Sequence, residues 1–224
     1  MINYINNTLY FYISKMRLLP KLVQFAAITV KKYNIDESHG LGHALVVLHN
    51  SHEILESLLP IQHYLESQRN IIYTSALVHD LCDDKYMNIE DGLQNIHQVL
   101  KTQNLLQPYE INIVEKIIST MSYSKVKKQG FPDLGIYQLA YHIVREADLL
   151  AAYDFDRSII YNLNNMNPNL NETFKNSLNL FENRVFKHNE DNLFITEYSK
   201  EKSLKLENEA KLQILRWYEI TNKY

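Results

Sequence analysis

Three short segments of this sequence carry side chains that can bind a metal ion. His39 and His43 are separated by four positions, and His79 is followed directly by Asp80. Asp148 lies much further along the chain, within Glu-Ala-Asp-Leu-Leu. Neutral imidazole and carboxylate are common ligands for divalent cations. For an isolated His-Asp pair, structural hydrogen bonding is the more common role, so the hypothesis requires that the three segments meet.

The elements that must position these residues are predicted to be helices. Only five glycines and five prolines occur in 224 residues, so turns are sparse and an all-α fold is indicated. Apolar residues recur at helical intervals from Ser38 to Leu59, and Pro60 closes this helix. A separation of four places the imidazoles of His39 and His43 on one helix face. Alone, this pair is more often a helix start with one exposed histidine.

The His79-Asp80 pair ends an apolar run that begins at Ile71. This run has the composition of a buried strand, but its lack of alternation favours a core helix. Asp148 shares a predicted helix face with Val144 and Ala152. Ionisable groups buried without a partner are costly, so both segments need a compensating group, which a divalent cation would supply.

Further helices and one loop complete the predicted organisation. The loop is asparagine-rich, runs from Tyr161 to Leu170 and contains Pro168. The leucines of the last helix are expected to pack on the domain in preference to another subunit. The predicted helices are Met87 to Thr102, Pro108 to Ser122, Leu134 to Tyr153, Asn171 to Lys187 and Thr196 to Thr221.

Composition indicates a globular protein without a nucleic-acid footprint. Hydrophobic residues make up 46% of the chain and the formal net charge is −3. Cys82 is the only cysteine, so no intrachain disulfide can form, and we expect an intracellular, cytoplasmic protein. The first residues are too polar for a signal-peptide core, and no apolar run approaches the ~20 residues that span a bilayer. We therefore expect neither a membrane nor a nucleic-acid partner.

Taken in order, these segments resemble the HD-domain superfamily of metal-dependent phosphohydrolases, in particular its small single-domain members. The resemblance covers roughly His39 to Arg157. It rests on His-x-x-x-His at 39–43, Leu-x-His-Asp-x-x-Asp-x-Lys at 77–85, an Ile-Ser-Tyr-like segment at 118–124 and an Ala-Asp context at 146–148. It implies a compact helical bundle in a single domain, 1–224, with an HD core at about 36–160 and additional helices at both ends.

The resemblance also implies roles for individual residues. His43, His79, Asp80 and Asp148 match the metal ligands, and Asp83 with Lys85 match pattern residues beside the metal. The pattern departs at Glu146, Leu149 and Ala151, where the family often has aspartate, arginine and a second aspartate. The resemblance therefore gives no substrate contacts beside Asp148.

The expected chemistry is hydrolysis of a nucleotide or related small phosphate ester by metal-activated water. We expect one divalent cation, Mn²⁺ or Mg²⁺, because an octahedral ion keeps room for water and substrate. Asp83 is a candidate for proton transfer if the helix bearing His79 continues, and its alternative role is to cap that helix. His39, Lys85 and Lys125 are candidates for binding phosphate.

Two other classes of function stay open. A non-catalytic nucleotide sensor would keep the metal and use it only for binding, which the departures at Leu149 and Ala151 favour and the intact ligand set disfavours. A purely helical interaction protein would leave the four candidate ligands without a shared purpose. His97 also leaves open a second metal ion.

Overall fold

The computed structural model describes residues 2–165 and 169–221, and side chains from residue 18 onward, Asn165 excepted. This part of the chain is all α-helical and compact, and it contains no β-strand, which confirms the predicted fold class. None of its helices is both long and apolar enough to cross a membrane. The helices are α1 (Ile2–Tyr33), α2 (Leu41–Leu58), α3 (Arg69–Val78), α4 (Ile89–Thr102), α5 (Pro108–Thr120), α6 (Tyr123–Gln129), α7 (Gln138–Ala151), α8 (Phe155–Asn165), α9 (Leu170–Leu180), α10 (Lys187–Glu190) and α11 (Glu197–Thr221).

Helix α3 lies at the centre of the fold. Seven of its ten residues are buried, and it packs against α1, α2, α5 and α7. The run from Ile71 to Val78 is therefore a core helix, as its lack of alternation predicts. Because α3 is covered on several sides, the residues at its C-terminal end are held firmly in the interior.

Helices α2 and α7 pack closely on each other and on α3. The buried face of α2 includes His43, Ala44 and Val47, and Asn50 donates a hydrogen bond to the Ala147 carbonyl oxygen at 3.1 Å. Helix α7 is buried along almost its whole length, with Asp148 as a partly exposed position. The packing of these three helices brings the ends of the candidate segments together.

Two sequence interpretations need correction. Residues 161–165 belong to α8 and do not form a loop, although Pro168 lies outside the described residues. The asparagines in this stretch are tolerated because α8 is anchored by buried Phe155 and Ile159. In α11 the buried positions include Ser203 and Ala210, whereas Leu204, Leu212 and Leu215 are exposed. Small residues let α11 approach its neighbours, and Leu206 and Trp217 also pack against the core, so the prediction is wrong only for the exposed positions of this helix.

The segment after α9 departs from regular α-helix. Residues Phe181–Val185 form a π-helix that leads into the short α10. Phe181 and Val185 are buried, and Glu182 and Arg184 are exposed. Arg184 in this segment and His188 just after it line the cavity described below.

Candidate metal centre

Four side chains from three regions of the chain converge on one point. His43 Nε2 lies 3.2 Å from His79 Nε2 and 3.2 Å from Asp148 Oδ1. Asp80 Oδ2 lies 3.4 Å from His43 Nε2 and 3.3 Å from His79 Nε2. His43, His79 and Asp148 alone offer three ligand atoms within 4.8 Å of one another. These three residues can hold a metal ion.

The distances between the donor atoms fit a shared cation. Neighbouring ligands at about 2.1 Å from an octahedral ion are separated by about 3 Å. His79 Nδ1 lies 2.9 Å from the Ala76 carbonyl oxygen, to which its N–H can donate a hydrogen bond. This contact leaves the Nε2 lone pair of His79 facing the cluster, the usual arrangement of a metal-binding histidine. The donor set therefore fits a divalent ion by its spacing, and His79 fits it by its orientation as well.

The electrostatics of the cluster depend on its two carboxylates. Burial disfavours the charged form of His79, but Asp80 and Asp148 outweigh that effect and raise its pKa well above the usual value. Burial also opposes ionisation of Asp80, yet the charge of His79 lowers the carboxyl pKa to about 2. The pKa of His43 is lowered, chiefly by burial, so its imidazole is neutral. Without metal, the cluster thus holds a proton on His79 between two carboxylates.

The cluster opens into a cavity of about 460 Å³. All four predicted ligands line it, and so do the other predicted site residues His39, Asp83, Lys85 and Lys125. The structure therefore gathers the four predicted ligands and these four other predicted site residues around one cavity. His97 lies elsewhere, where its Nδ1 is 2.8 Å from Glu115 Oε1 between α4 and α5.

Asp83 lines the cavity from a turn, and not from a continuation of the helix that bears His79. Helix α3 ends at Val78, so the helix does not continue to Asp83. Asp83 instead sits in a turn, where its Oδ1 accepts a hydrogen bond from the Lys85 amide at 2.9 Å. The carboxylate keeps its second oxygen, which lies 3.7 Å from Lys85 Nζ. Asp83 therefore does not cap α3, and its role in proton transfer stays a prediction.

His39 lies in a chain of hydrogen bonds at the cavity entrance. The hydroxyls of Ser38 and Tyr86 both donate to Asp36, so they can accept from His39 Nδ1, at 2.7 and 3.2 Å. Lys85 Nζ lies 3.1 Å from His39 Nε2 and donates to it. This arrangement fixes one neutral tautomer of His39 and holds the Lys85 ammonium at the cavity wall. Burial lowers the pKa of His39, in keeping with a neutral ring.

Sequence reasoning missed Arg157 as a site residue. Its guanidinium donates to His43 Nδ1 and, at 3.0 Å, to the Ser38 carbonyl oxygen, and it lines the cavity. A basic residue in the first turn of a helix is locally unfavourable, because the N-terminal end of a helix dipole is positive. That conflict is a signal that a functional constraint holds Arg157 there.

The interpretation of this site rests on its geometry, because comparisons with known proteins identify no relative. No protein-family model, no curated protein and no solved structure matches this chain.

Proposed function

We propose that this chain is a metal-dependent hydrolase of a nucleotide or related small phosphate ester, of the HD-domain type. The observation that carries the proposal is the convergence of His43, His79, Asp80 and Asp148 at the wall of a cavity that also contains Lys85, Lys125 and Arg157. Metal ligands and fixed cations in one cavity are the groups that bind and activate a phosphoryl group.

A divalent cation bound by the cluster would lower the pKa of a coordinated water and offset negative charge on phosphoryl oxygens. Mn²⁺ suits the site better than Mg²⁺, because two imidazoles are unusual ligands for Mg²⁺. The chain's own cations orient the phosphate. Lys85 is held by His39 Nε2 and the Asp83 carboxylate, and its remaining N–H groups are available to the cavity.

Lys125 and Asp83 complete the proposed machinery. Lys125 Nζ donates to the Ser119 carbonyl oxygen at 2.7 Å, which fixes the ammonium at the end of α5 with two protons left for a ligand. Outside the ligand cluster, Asp83 is the carboxylate closest in sequence to His79 and Asp80. We assign it proton transfer to or from the reacting water or leaving group.

The form of the cavity favours a nucleotide over a simple phosphate. Its volume falls in the range of small-molecule sites, about 300–1,000 Å³. Beyond the ligand cluster its wall becomes apolar and aromatic, with Leu149, Leu180, Phe181 and Val185. A substrate with a charged end and a flat apolar end matches both regions.

The proposal is tested with purified protein loaded with Mn²⁺ and a panel of nucleotides and phosphate esters, with phosphate and pyrophosphate release measured separately. We expect turnover of at least one nucleotide, and we expect Asp83→Asn to lower it by about 10²–10⁴-fold while metal and nucleotide still bind. Asp133→Asn, at an exposed position outside the cavity, is the matched control.

Wild-type protein that binds nucleotides with metal but turns over none of the panel would support the sensor, which the apolar Leu149 beside Asp148 favours. Turnover that is unchanged in Asp83→Asn would remove Asp83 from the reaction and leave the metal centre in place. Failure to bind either metal or nucleotides would overturn both functions.

A further inference from the structure

A buried histidine outside the ligand cluster lines the same cavity. His188 is 1% exposed, and neither ring nitrogen has a hydrogen-bond partner among the described residues. Buried polar groups are nearly always hydrogen-bonded, because an unpaired donor or acceptor in the interior is destabilising. An unpaired imidazole in a residue that lines a cavity points to a ligand that supplies the missing partners, and because each ring nitrogen exposes less than 1 Å², ligand binding must move the wall that covers them.

Aromatic rings hold the His188 ring in place. The ring centroids of Tyr123, Tyr153 and Phe194 lie 5.4, 5.8 and 6.3 Å from that of His188. Arg184 places its guanidinium carbon 4.7 Å from the centre of the Tyr123 ring, so the π-helix and α10 fix this wall together. A π-helix is rare and is often found at functional sites.

His188 stays neutral at physiological pH. Burial and then the nearby charge of Arg184 lower its pKa to about 4. A neutral imidazole has one N–H donor and one nitrogen acceptor. The ring can therefore donate one hydrogen bond to a neutral ligand and accept another from it. An anion such as phosphate, which mainly accepts hydrogen bonds, matches it poorly.

One cavity is lined both by the ligand cluster and by His188. Asp148 and Ala152 both line the cavity, and they lie one helical turn apart at the end of α7, a step of about 5–6 Å. Leu149, Leu180 and Val185 continue the wall from there with apolar surface. A ligand in this cavity would therefore meet the ligand cluster, apolar side chains and His188, and the charges of Arg184 and Asp148 act on the imidazole.

We infer that His188, with the apolar wall formed by the π-helix, is the specificity subsite for a planar heteroaromatic ring such as a nucleobase, which it recognises by hydrogen bonds to the ring edge. This inference rests on the proposed function for the position of the phosphate but not for the existence of the subsite. His188 is a binding residue in this account, and it takes no part in the reaction at phosphorus.

The test uses the full-length, metal-free protein and nucleosides, which carry no phosphate. Adenosine, guanosine, cytidine and uridine are titrated separately at millimolar concentrations into protein with isotope-labelled histidine. We expect at least one nucleoside to shift the ring resonances of His188 and to fix one tautomer. In His188→Phe, which keeps an aromatic ring without the nitrogens, we expect binding of that nucleoside to fall by about tenfold or more.

Tyr153→Phe is the matched control, because it removes a polar atom from a ring that contacts His188 but does not line the cavity. It should bind nucleosides as the wild type does. The melting temperature of His188→Phe should equal or exceed that of the wild type, since an unpaired polar group has been removed. If this variant fails to fold, the ring resonances of wild-type His188 decide the question.

Wild-type protein whose His188 resonances respond to none of the four nucleosides would overturn the inference, and so would equal nucleoside affinity in His188→Phe. Neither result depends on metal or turnover. Hydrolysis of nucleotides without any response of His188 would refute the subsite alone, and nucleoside binding without hydrolysis would refute the proposed reaction alone.

Discussion

At the scale of single residues, a proton and a metal ion compete for the ligand cluster. His79 is protonated in the metal-free protein, because the charges of Asp80 and Asp148 raise its pKa although burial opposes the charged form. A metal requires the neutral form, so the two compete for the same nitrogen. The carboxylates that stabilise the proton are the groups that would stabilise the metal.

This competition predicts that metal affinity rises with pH. Below the raised pKa of His79, binding releases one proton, and the affinity should increase by up to about tenfold per pH unit. The metal-free protein should show the opposite trend in stability. The contribution of His79 is fully present below its unfolded pKa and is lost as pH rises through its higher folded pKa. Calorimetric titration of Mn²⁺ across neutral pH measures the first effect, and an affinity independent of pH would contradict it.

Arg157 presents a second competition at His43. A guanidinium only donates, so its hydrogen bond to His43 Nδ1 needs the lone pair of that nitrogen and places the ring proton on Nε2. A metal on Nε2 would shift that proton to Nδ1, where it faces another donor. The hydrogen bond seen here and metal binding through Nε2 therefore exclude each other.

We expect Arg157→Met to bind Mn²⁺ about tenfold more tightly, since both the competing hydrogen bond and a nearby positive charge are removed. The same change should raise KM for a nucleotide, because the cavity loses a cation. Arg216→Met, at an exposed position on α11, is the matched control and should alter neither value. Metal affinity that falls in Arg157→Met would show that this guanidinium supports the metal-binding form of His43.

At the scale of elements, the packing of α4 fixes the turn that bears His79 and Asp80. An added Cβ at Gly92 would lie 2.6 Å from Cys82 Cβ and 2.8 Å from Cys82 Cα. These atoms belong to the core and the backbone of the turn, so neither can move aside easily. The close approach of α4 requires glycine at this position.

Gly92→Ala should therefore destabilise the protein by about 1–3 kcal/mol, the usual cost of overpacking, and should weaken metal binding by displacing the turn. Gly42→Ala is the comparison, because a Cβ there meets only Glu37 Oε2, at 3.7 Å. Urea unfolding and metal titration measure both variants. Equal stability of Gly92→Ala and the wild type would show that α4 does not constrain the turn.

The sequence predicted the elements better than their contacts. The apolar run before His79 and the periodicity of α2 depend on local pattern, so their helices were predictable, and the order of the segments was enough to suggest that His43, His79, Asp80 and Asp148 share a site. His188 was not predictable as a site residue and Arg157 had only its unfavourable place at a helix start as a signal, because α8 and α10 reach the cavity through long-range packing. Leucine spacing in α11 also misled, since serine and alanine form its buried face.

At the scale of the whole molecule, the C-terminal region is tied to the helix that carries Asp148. Glu146 is fully buried and accepts hydrogen bonds from the Ile195 amide at 2.7 Å and from Thr196 Oγ1 at 2.6 Å. Arg145 beside it is also buried, and its Nη2 donates to the Leu193 carbonyl oxygen. The segment before α11 is thus anchored on α7.

Glu146→Ala should cost about 3–5 kcal/mol of unfolding free energy, because Arg145 would be left as an uncompensated buried charge. Glu197→Ala removes an exposed carboxylate nearby and should change stability by less than about 0.5 kcal/mol. If Glu146→Ala does not fold, Glu146→Gln retains the acceptor oxygen and should give an intermediate loss. Denaturant unfolding distinguishes these outcomes, and a loss in Glu146→Ala no larger than that in Glu197→Ala would contradict the anchoring role.

The most direct test of the metal centre is a crystal structure of the protein soaked with Mn²⁺, with anomalous diffraction recorded at the manganese edge. We expect one anomalous peak about 2.0–2.3 Å from His43 Nε2, His79 Nε2 and carboxylate oxygens of Asp80 and Asp148. An Asp148→Asn crystal should show a weakened or absent peak with the same helical fold. A peak elsewhere, or none at these four residues in the wild-type protein, would contradict the account.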